Sequence, residues 1–354
     1  MSDIENFTSE AITLLKSLIN FPSISKEEEE AADFLQNYIE SLGIMTERSG
    51  NNIWSMSTNL NPQKPTLLLN AHIDTVKPVA GWKHQPFTAK IEDDKLYGLG
   101  SNDDGGSLVS LFETFRYLIT KDQSYNLIFL ASCEEEISGK NGIESVLPLL
   151  PPISVALVGE PTGMQPAIAE KGLMVLDLIA HGESGHAARS AGVNAIYKVL
   201  DDIEWFRDYQ FPKTSPLLGS VKMAVTVINA GTQHNVIPDT CTCLVDVRSN
   251  ECYTNEELFK EISTYVKNEV KAHSFRLNSS KIDPNHPLVQ RAVALGRKPL
   301  GSPTLSDQAL MNFPSLKMGP GESSRSHTAD EFIKLSEIKE AIQLYIKMLD
   351  GLTL

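Results

Sequence analysis

Three short apolar runs alternate with helical patterns in the first half of the chain, and they constrain its fold most. Residues 66–70, 126–131 and 155–158 are apolar through their centres, and residues 107–118 show the helical spacing of apolar side chains. Strands of a parallel sheet have this composition because helices cover both faces of the sheet. The sequence therefore predicts an α/β fold with a mostly parallel central sheet flanked by helices.

The pattern changes near Gly172, where apolar and polar residues begin to alternate. In chain order the periodicity predicts a strand at 173–181, a helix at 191–206, strands at 220–228 and 240–248, a helix at 255–271 and a strand at 274–279. This βαββαβ order is typical of a ferredoxin-like α+β domain. A helical pattern resumes at 287–295. We therefore interpret 172–280 as an inserted domain and 1–171 with 281–354 as the domain that it interrupts.

Composition excludes several classes of function. The 354 residues carry a formal net charge of −14, which argues against a nucleic-acid-binding protein with a basic face. No apolar run is long enough to cross a bilayer, and the acidic residues 1–5 do not resemble a signal peptide. The four cysteines form no CxxC pair. We expect reduced cysteines and a cytoplasmic protein.

Acidic and histidine side chains follow the predicted strands of the first domain. His72 and Asp74 come after the first strand, the run Glu134-Glu135-Glu136 after the second and Glu160 after the third. In open α/β sheets, ligands bind at the carboxyl ends of the strands. Further candidates are Asp103 in a glycine-rich loop, His327 in a loop before the last helix, and His186 in the inserted domain.

Each of these residues also has an ordinary structural explanation. A buried histidine often bonds to a near neighbour, and runs of acids are usually solvated loops. Asp103 could simply lie near a helix N-terminus, and Asp104 competes with it as a candidate ligand. Their shared placement at strand ends favours a site, and two imidazoles with three carboxylates would suit two divalent cations that polarise an amide carbonyl.

Other chemistries lack their motifs. The chain has no GxSxG elbow, no HExxH helix, no GxGxxG after its first strands and no GxxxxGK[ST] loop. In the inserted domain, His186 could donate to a developing oxyanion, and Asn235 and Arg248 could bind a substrate carboxylate. For Arg248 the alternative is an ion pair with Asp246, two positions away on the same strand face.

Seven motifs in order resemble the di-zinc metallopeptidase family that includes aminoacylases, acetylornithine deacetylases, succinyl-diaminopimelate desuccinylases and carboxypeptidase G. They are HxD at 72–74, the glycine-flanked Asp103, the acidic run, GEPT at 159–162, GxxGH at 182–186, NVIP at 235–238 and PGxxxxxH at 320–327. The resemblance covers essentially the whole chain and by length is closest to the acetylornithine deacetylase branch. It implies a catalytic α/β domain interrupted by a lid domain, with a homodimer possible through the lid.

The resemblance also implies roles for individual residues. His72 and Glu160 would hold one zinc ion, Glu136 and His327 the other, and Asp103 would bridge them. Glu135 would be the general base, Asp74 would orient His72, and His186 would bond the oxyanion, in some relatives from a partner subunit. Asn235 and Arg248 match positions that contact substrate.

Two segments depart from the family pattern. Leu99 and Gly105 stand where the family usually has arginine and lysine, and neither position holds metal. The family's Gly-Thr-Ser-Asp segment is Thr304-Leu305-Ser306-Asp307 here. We therefore expect altered packing or substrate choice at these positions rather than loss of activity.

The implied reaction is hydrolysis of an N-acyl amino acid to a carboxylate and an amine. The acyl group could be acetyl or succinyl, and the amino acid ornithine, citrulline or diaminopimelate, which would place an ornithine-specific enzyme in arginine biosynthesis. A dipeptidase or carboxypeptidase of the same family and a non-catalytic metal-binding relative are the alternatives. Cobalt or manganese would fit the nitrogen and oxygen ligands as well as zinc. No nucleic-acid or membrane partner is expected.

Overall fold

The computed structural model describes residues 2–58, 60–189 and 191–354. Its α-helices are α1 (Ser2–Ile19), α2 (Glu29–Ser41), α3 (Gly106–Leu118), α4 (Ile143–Val146), α5 (Ala195–Asp208), α6 (Asn255–Tyr265), α7 (Pro287–Ala294) and α8 (Leu335–Leu349). The first nine strands are β1 (Glu47–Ser49), β2 (Asn52–Met56), β3 (Thr66–His72), β4 (Lys90–Glu92), β5 (Lys95–Tyr97), β6 (Asn126–Ser132), β7 (Val155–Val158), β8 (Ala167–Glu170) and β9 (Met174–His181). The others are β10 (Gly185–His186), β11 (Lys222–Ala230), β12 (Val236–Ile237), β13 (Thr240–Arg248), β14 (Glu269–Ala272), β15 (Ser280–Lys281), β16 (Leu300–Ser302), β17 (Ser315–Lys317) and β18 (Phe332–Lys334).

The central sheet has the strand order β1-β2-β6-β3-β7-β17-β8-β15, with β16 paired to β8. Its middle strands β6, β3, β7 and β17 are mutually parallel, whereas β1 and β2 are antiparallel additions at one edge. Every residue of β3, β6 and β7 is buried. The prediction of an α/β fold with a mostly parallel central sheet is therefore confirmed.

Side chains that alternate along β3 build two hydrophobic layers. Leu67 and Leu69 pack in the larger core with helices α1, α3 and α8. Leu68 points to the opposite face and packs with Ile143 and Val146 of α4. Helices on both faces explain why these strands are apolar throughout rather than alternating.

The chain divides into two compact units. Unit 1 comprises Met1–Ile168, Lys281–Leu300 and Ser306–Leu354, and unit 2 comprises Ala169–Ser280 and Gly301–Leu305. Within unit 1, the backbone N–H of Ile282 donates to the carbonyl oxygen of Ile168 at 2.9 Å. No helix among the described residues is long and apolar enough to span a bilayer.

Unit 2 contains a four-stranded antiparallel sheet in the order β11-β13-β9-β14, with helices α5 and α6 in the βαββαβ sequence. The predicted ends of its last two elements are wrong, because α6 ends at Tyr265 and the strand is Glu269–Ala272. The carboxylate of Asp202 on α5 accepts the backbone N–H groups of Lys267 and Asn268 at 2.9 and 3.0 Å. This tertiary contact accompanies the early end of α6, and the local pattern of apolar residues does not record it.

Candidate metal centre

Parallel pairing brings the predicted site residues of unit 1 together at the carboxyl ends of the central strands. His72 is the last residue of β3, Glu135 lies three residues beyond β6, and Glu160 lies two residues beyond β7. Asp103 comes from the loop before α3, and His327 from the loop that follows β17. These residues come from distant parts of the sequence, and the strand order β6-β3-β7-β17 makes them neighbours.

Asp103 lies between two groups of possible metal ligands. Its Oδ1 is 3.3 Å from Nε2 of His72, and its Oδ2 is 3.6 Å from Nε2 of His327. The ligand atoms of His72, Asp103 and Glu160 lie within 4.8 Å of one another, and so do those of Asp103, Glu136 and His327. Each group offers one imidazole nitrogen and carboxylate oxygens, a donor set that suits zinc and similar divalent cations. One carboxylate is thus placed to serve two metal positions.

Asp74 ties His72 to the acidic run. Its carboxylate accepts the backbone N–H groups of Glu135 and Glu136 at 3.0 and 3.1 Å and the hydroxyl of Ser25 at 2.7 Å. Nδ1 of His72 lies 2.9 Å from the main-chain oxygen of Asp74 and 3.4 Å from its Oδ1. Burial opposes ionisation of Asp74, but its bond to His72 and the charge of that ring lower the pKa of Asp74. Asp74 therefore orients both a candidate ligand and the backbone of Glu135 and Glu136.

Glu135 has the surroundings of a group that must gain and lose a proton. Its Oε2 lies 3.9 Å from Nε2 of His72. Burial raises the pKa of Glu135 well above its ordinary value, and the charges of Glu160, Asp307 and Glu136 raise it further. A carboxyl whose pKa is raised accepts a proton more readily, which suits a general acid–base group.

Glu136 and His327 form the second group with Asp103. Oε2 of Glu136 is 2.9 Å from Nε2 of His327, and this contact raises the pKa of His327 to about 9. The side chain of His327 is 53% exposed, so this group is open to solvent. Burial raises the pKa of Glu160 in the first group well above its ordinary value, while Lys317 opposes that rise.

Two neighbouring acids belong to neither of these groups of possible ligands. The carboxylate of Glu134 accepts the side-chain amide of Asn141 at 2.9 Å, and its backbone N–H donates to Glu28. Asp104 is buried and follows a cis peptide bond from Asp103. Of the two adjacent aspartates, only Asp103 joins the groups of possible ligands among the described residues.

Sequence reasoning missed Glu331. Its carboxylate accepts the backbone N–H groups of Gly100, Asn102 and Asp103 at 3.2, 2.8 and 3.0 Å, and so fixes the loop that carries Asp103. Burial and the charge of Asp103 raise the pKa of Glu331 to about 8. An acid four residues after His327 was the only signal in the sequence.

Residues 25–28 have the Ser-x-x-Glu pattern of a capping box, which would predict a cap for α2. The cap does not form. Ser25 donates to Asp74, and the buried carboxylate of Glu28 accepts the N–H groups of Lys26 and Glu134 at 2.7 and 3.2 Å. The segment therefore supports the acidic run rather than the helix start.

Unit 2 contains the remaining candidates. His186 on β10 pairs with Val236 on β12, and the N–H of Ala187 donates to the carbonyl of Asn235 at 3.0 Å, so His186 and Asn235 are neighbours. The guanidinium group of Arg248 donates two hydrogen bonds, of 2.8 and 3.0 Å, to the carboxylate of Asp246 and so forms the alternative ion pair.

Two lysines that sequence reasoning missed lie beside Arg248. Lys222 is its direct partner across β11 and β13, and Nζ of Lys171 donates to Ser220 at 3.1 Å. Burial and the charges of Lys222 and Arg248 lower the pKa of Lys171. The side chains of Lys171, Lys222 and Arg248 thus lie close enough for their charges to act on one another.

The two departures near Asp103 have a packing explanation. A side chain at Gly105 would collide with the carbonyl oxygen of Gly100 and with Leu15. Leu99 is buried, as its apolar side chain requires. This loop therefore packs without the basic side chains that the family usually has there.

We expect metal affinity to fall steeply as pH falls. The contact with Glu136 raises the pKa of His327 to about 9, so below that pH the ring holds a proton that a metal must displace. The pKa values of Glu136 and Glu160 are shifted in the same direction. Each displaced proton should weaken binding about tenfold per pH unit below the pKa of its group. Zinc titrations from pH 6 to 9 with a competing chelator would measure this slope, and an affinity independent of pH would contradict the proposed ligands.

The chain matches the model of Peptidase family M20/M25/M40 over residues 68–351. It is 28% identical to an acetylornithine deacetylase of Shigella sonnei over 384 aligned positions, covering 96% of each chain. A tripeptidase of Staphylococcus aureus has the same fold, with a TM-score of 0.77, 17% identity and 97% of each chain covered. A dinuclear metal-binding peptidase of Bacillus subtilis gives a TM-score of 0.73 at 17% identity over 98% of each chain. Because the family model spans most of its length, this protein is a hydrolase of Peptidase family M20/M25/M40.

Proposed function

We propose that this protein is a di-zinc N-acyl amino acid deacylase, which hydrolyses the amide between an acetyl or succinyl group and an amino acid such as ornithine. The observation that carries the proposal is Asp103, whose two oxygens face His72 and His327 in two separate groups of ligands. The acetylornithine deacetylase named above, which aligns along almost the whole chain, supports this choice of reaction.

The chain's own residues divide the work. His72, Asp103 and Glu160 would hold one zinc ion, and Asp103, Glu136 and His327 the other. When bound, the metals would polarise the amide carbonyl and lower the pKa of water. Glu135 would take a proton from the attacking water and return it to the departing amine. Asp74 would keep His72 and the backbone of Glu135 in place through the bonds described above.

We assign substrate recognition to residues of unit 2. His186 would donate a hydrogen bond to the oxyanion, and Asn235, its neighbour in the β10–β12 ribbon, would contact substrate. Arg248 would bind a substrate carboxylate, because guanidinium pairs with carboxylates through two parallel hydrogen bonds. Lys171 and Lys222 support this role, since their positive charges act close to Arg248 and would favour a bound anion.

A homodimer through unit 2 is part of the proposal. β11 is an edge strand of its sheet, and Ile228 on it is 52% exposed, with Tyr197 of the adjacent α5 at 72%. An exposed apolar edge strand is a ready site for pairing with another chain. Analytical ultracentrifugation of the wild type and of Ile228→Asp tests this, and a wild-type monomer would refute it.

The reaction itself is tested by amine release from a panel of N-acetyl and N-succinyl amino acids that includes ornithine, citrulline and diaminopimelate. We expect release from at least one of them with zinc or cobalt supplied, and none with a chelator. Dipeptides and tripeptides belong in the same panel, because the tripeptidase named above has the same fold. Cleavage of peptides alone would replace the deacylase proposal with a peptidase, and metal binding without any cleavage would favour a non-catalytic relative.

A further inference from the structure

A buried lysine lies against one of the two ligand groups. Lys317 is the last residue of β17 and is 2% exposed. Its Nζ lies 3.7 Å from Oε2 of Glu160, at the carboxyl ends of the strands, where the proposed ligands lie. Burying an ammonium group is costly unless an anion compensates it. The contact with Glu160 supplies part of that compensation, and the positive charge in turn favours the ionised carboxylate.

The two ligand groups therefore differ in the cation that faces their carboxylates. In the second group Glu136 contacts His327, whose imidazole is itself one of the proposed ligands. In the first group Glu160 pairs with Lys317, and an ammonium group has no lone pair to offer. The partner of Glu136 can therefore bind the same metal, whereas a metal that binds Glu160 meets the ammonium group of Lys317.

We propose that Lys317 is an internal counter-ion that competes with metal for Glu160. It would stabilise the metal-free pocket. It would also make the metal affinity of the group His72, Asp103 and Glu160 lower than that of the group Asp103, Glu136 and His327. Lys317 is thus a positioning residue that acts on the reaction through Glu160. This inference rests on the two-metal site of the proposed function.

The experiment compares the metal-free wild type with Lys317→Met, Lys317→Gln and Lys317→Arg. Each protein is titrated with Zn²⁺ against a chromogenic chelator, and its thermal unfolding is followed with and without Zn²⁺. We expect two unequal binding events in the wild type. Loss of the charge in the Met and Gln variants should tighten the weaker event about tenfold or more, because like charges repel strongly at this range. The Arg variant, the matched control for charge, should keep two unequal events.

Stability should change in the opposite direction. Without metal, the Met and Gln variants should unfold several degrees below the wild type, because Glu160 loses its counter-ion. With Zn²⁺ they should recover more than the wild type does. His327→Ala identifies the sites, since it should remove the tighter event and leave the weaker one, which Lys317→Gln should then tighten.

Three results would overturn the inference. The first is a weaker zinc-binding event whose affinity is unchanged or reduced in both neutral variants. The second is two equal binding events in the wild type. The third is loss of the weaker binding event in His327→Ala. Failure of the proposed function looks different, because a wild type that binds no Zn²⁺ at all would refute the two-metal site itself. The Lys317→Gln variant keeps a side chain that can form hydrogen bonds. It therefore provides a folded protein for the test if Lys317→Met does not fold.

Discussion

Glu135→Ala should reduce kcat by about 10² to 10⁴-fold, the usual contribution of a general acid–base group, while bound metal stays near the wild-type level. The reason is that Glu135 lies 3.9 Å from His72 but is not a member of either group of possible ligands. Its backbone bond to Asp74 does not involve the side chain and should survive the substitution. Steady-state kinetics on the best substrate of the panel, with metal analysis of the same preparation, measures both quantities.

Glu134→Gln is the matched control for that experiment. It changes an adjacent acid of the same run, but its side chain bonds Asn141 away from the ligand groups, so kcat should change little. Full turnover in Glu135→Ala would mean that another group moves the proton. A large loss of metal in that variant would instead make Glu135 a ligand.

Asp103→Ala should abolish activity and most metal binding, because it removes the carboxylate that both ligand groups share. Glu136→Ala should reduce metal binding less, because it removes ligand atoms from one group only. Bound metal stabilises a folded protein by about 2.7 kcal/mol at a hundred times its dissociation constant, so the zinc-induced rise in unfolding temperature reports binding directly. In Asp103→Ala this rise should nearly vanish.

Folding of the variant needs to be separated from metal loss. Glu331 holds the backbone of Asp103 rather than its side chain, so Asp103→Ala should keep the loop and fold in the absence of metal. Two bound zinc ions per chain in Asp103→Ala would contradict the bridging role. Equal loss of metal from Asp103→Ala and Glu136→Ala would indicate that the two positions fill only together.

Strands and order of layers could be predicted because burial leaves a strong local signal. Residues 66–70, 126–131 and 155–158 all lie in strands of the central sheet. The end of α6 could not be predicted, since it depends on Asp202, which is more than fifty positions away from the backbone groups that it captures. Local patterns record which side chains face a core, and they do not record which distant carboxylate ends a helix.

The candidate site divides in the same way. His72, Asp103, Glu136, Glu160 and His327 stand out in the sequence because they follow strands or lie in motif loops, and the structure brings them together. The groups that hold them do not stand out. Glu331, Ser25 and Lys317 contact the site from other elements, and each would pass for an ordinary surface residue in the sequence.

The insertion of unit 2 has a consequence for protein engineering. The chain first leaves unit 1 after Ile168 and returns at Lys281, and the hydrogen bond between Ile282 and Ile168 holds the two sides of this junction one strand spacing apart. A short β-turn could therefore replace residues 169–280, the larger part of unit 2, without stretching the backbone on either side. All five proposed metal ligands lie in the part that would remain. The fold thus offers a compact metal-binding scaffold into which other domains could be spliced at the same junction.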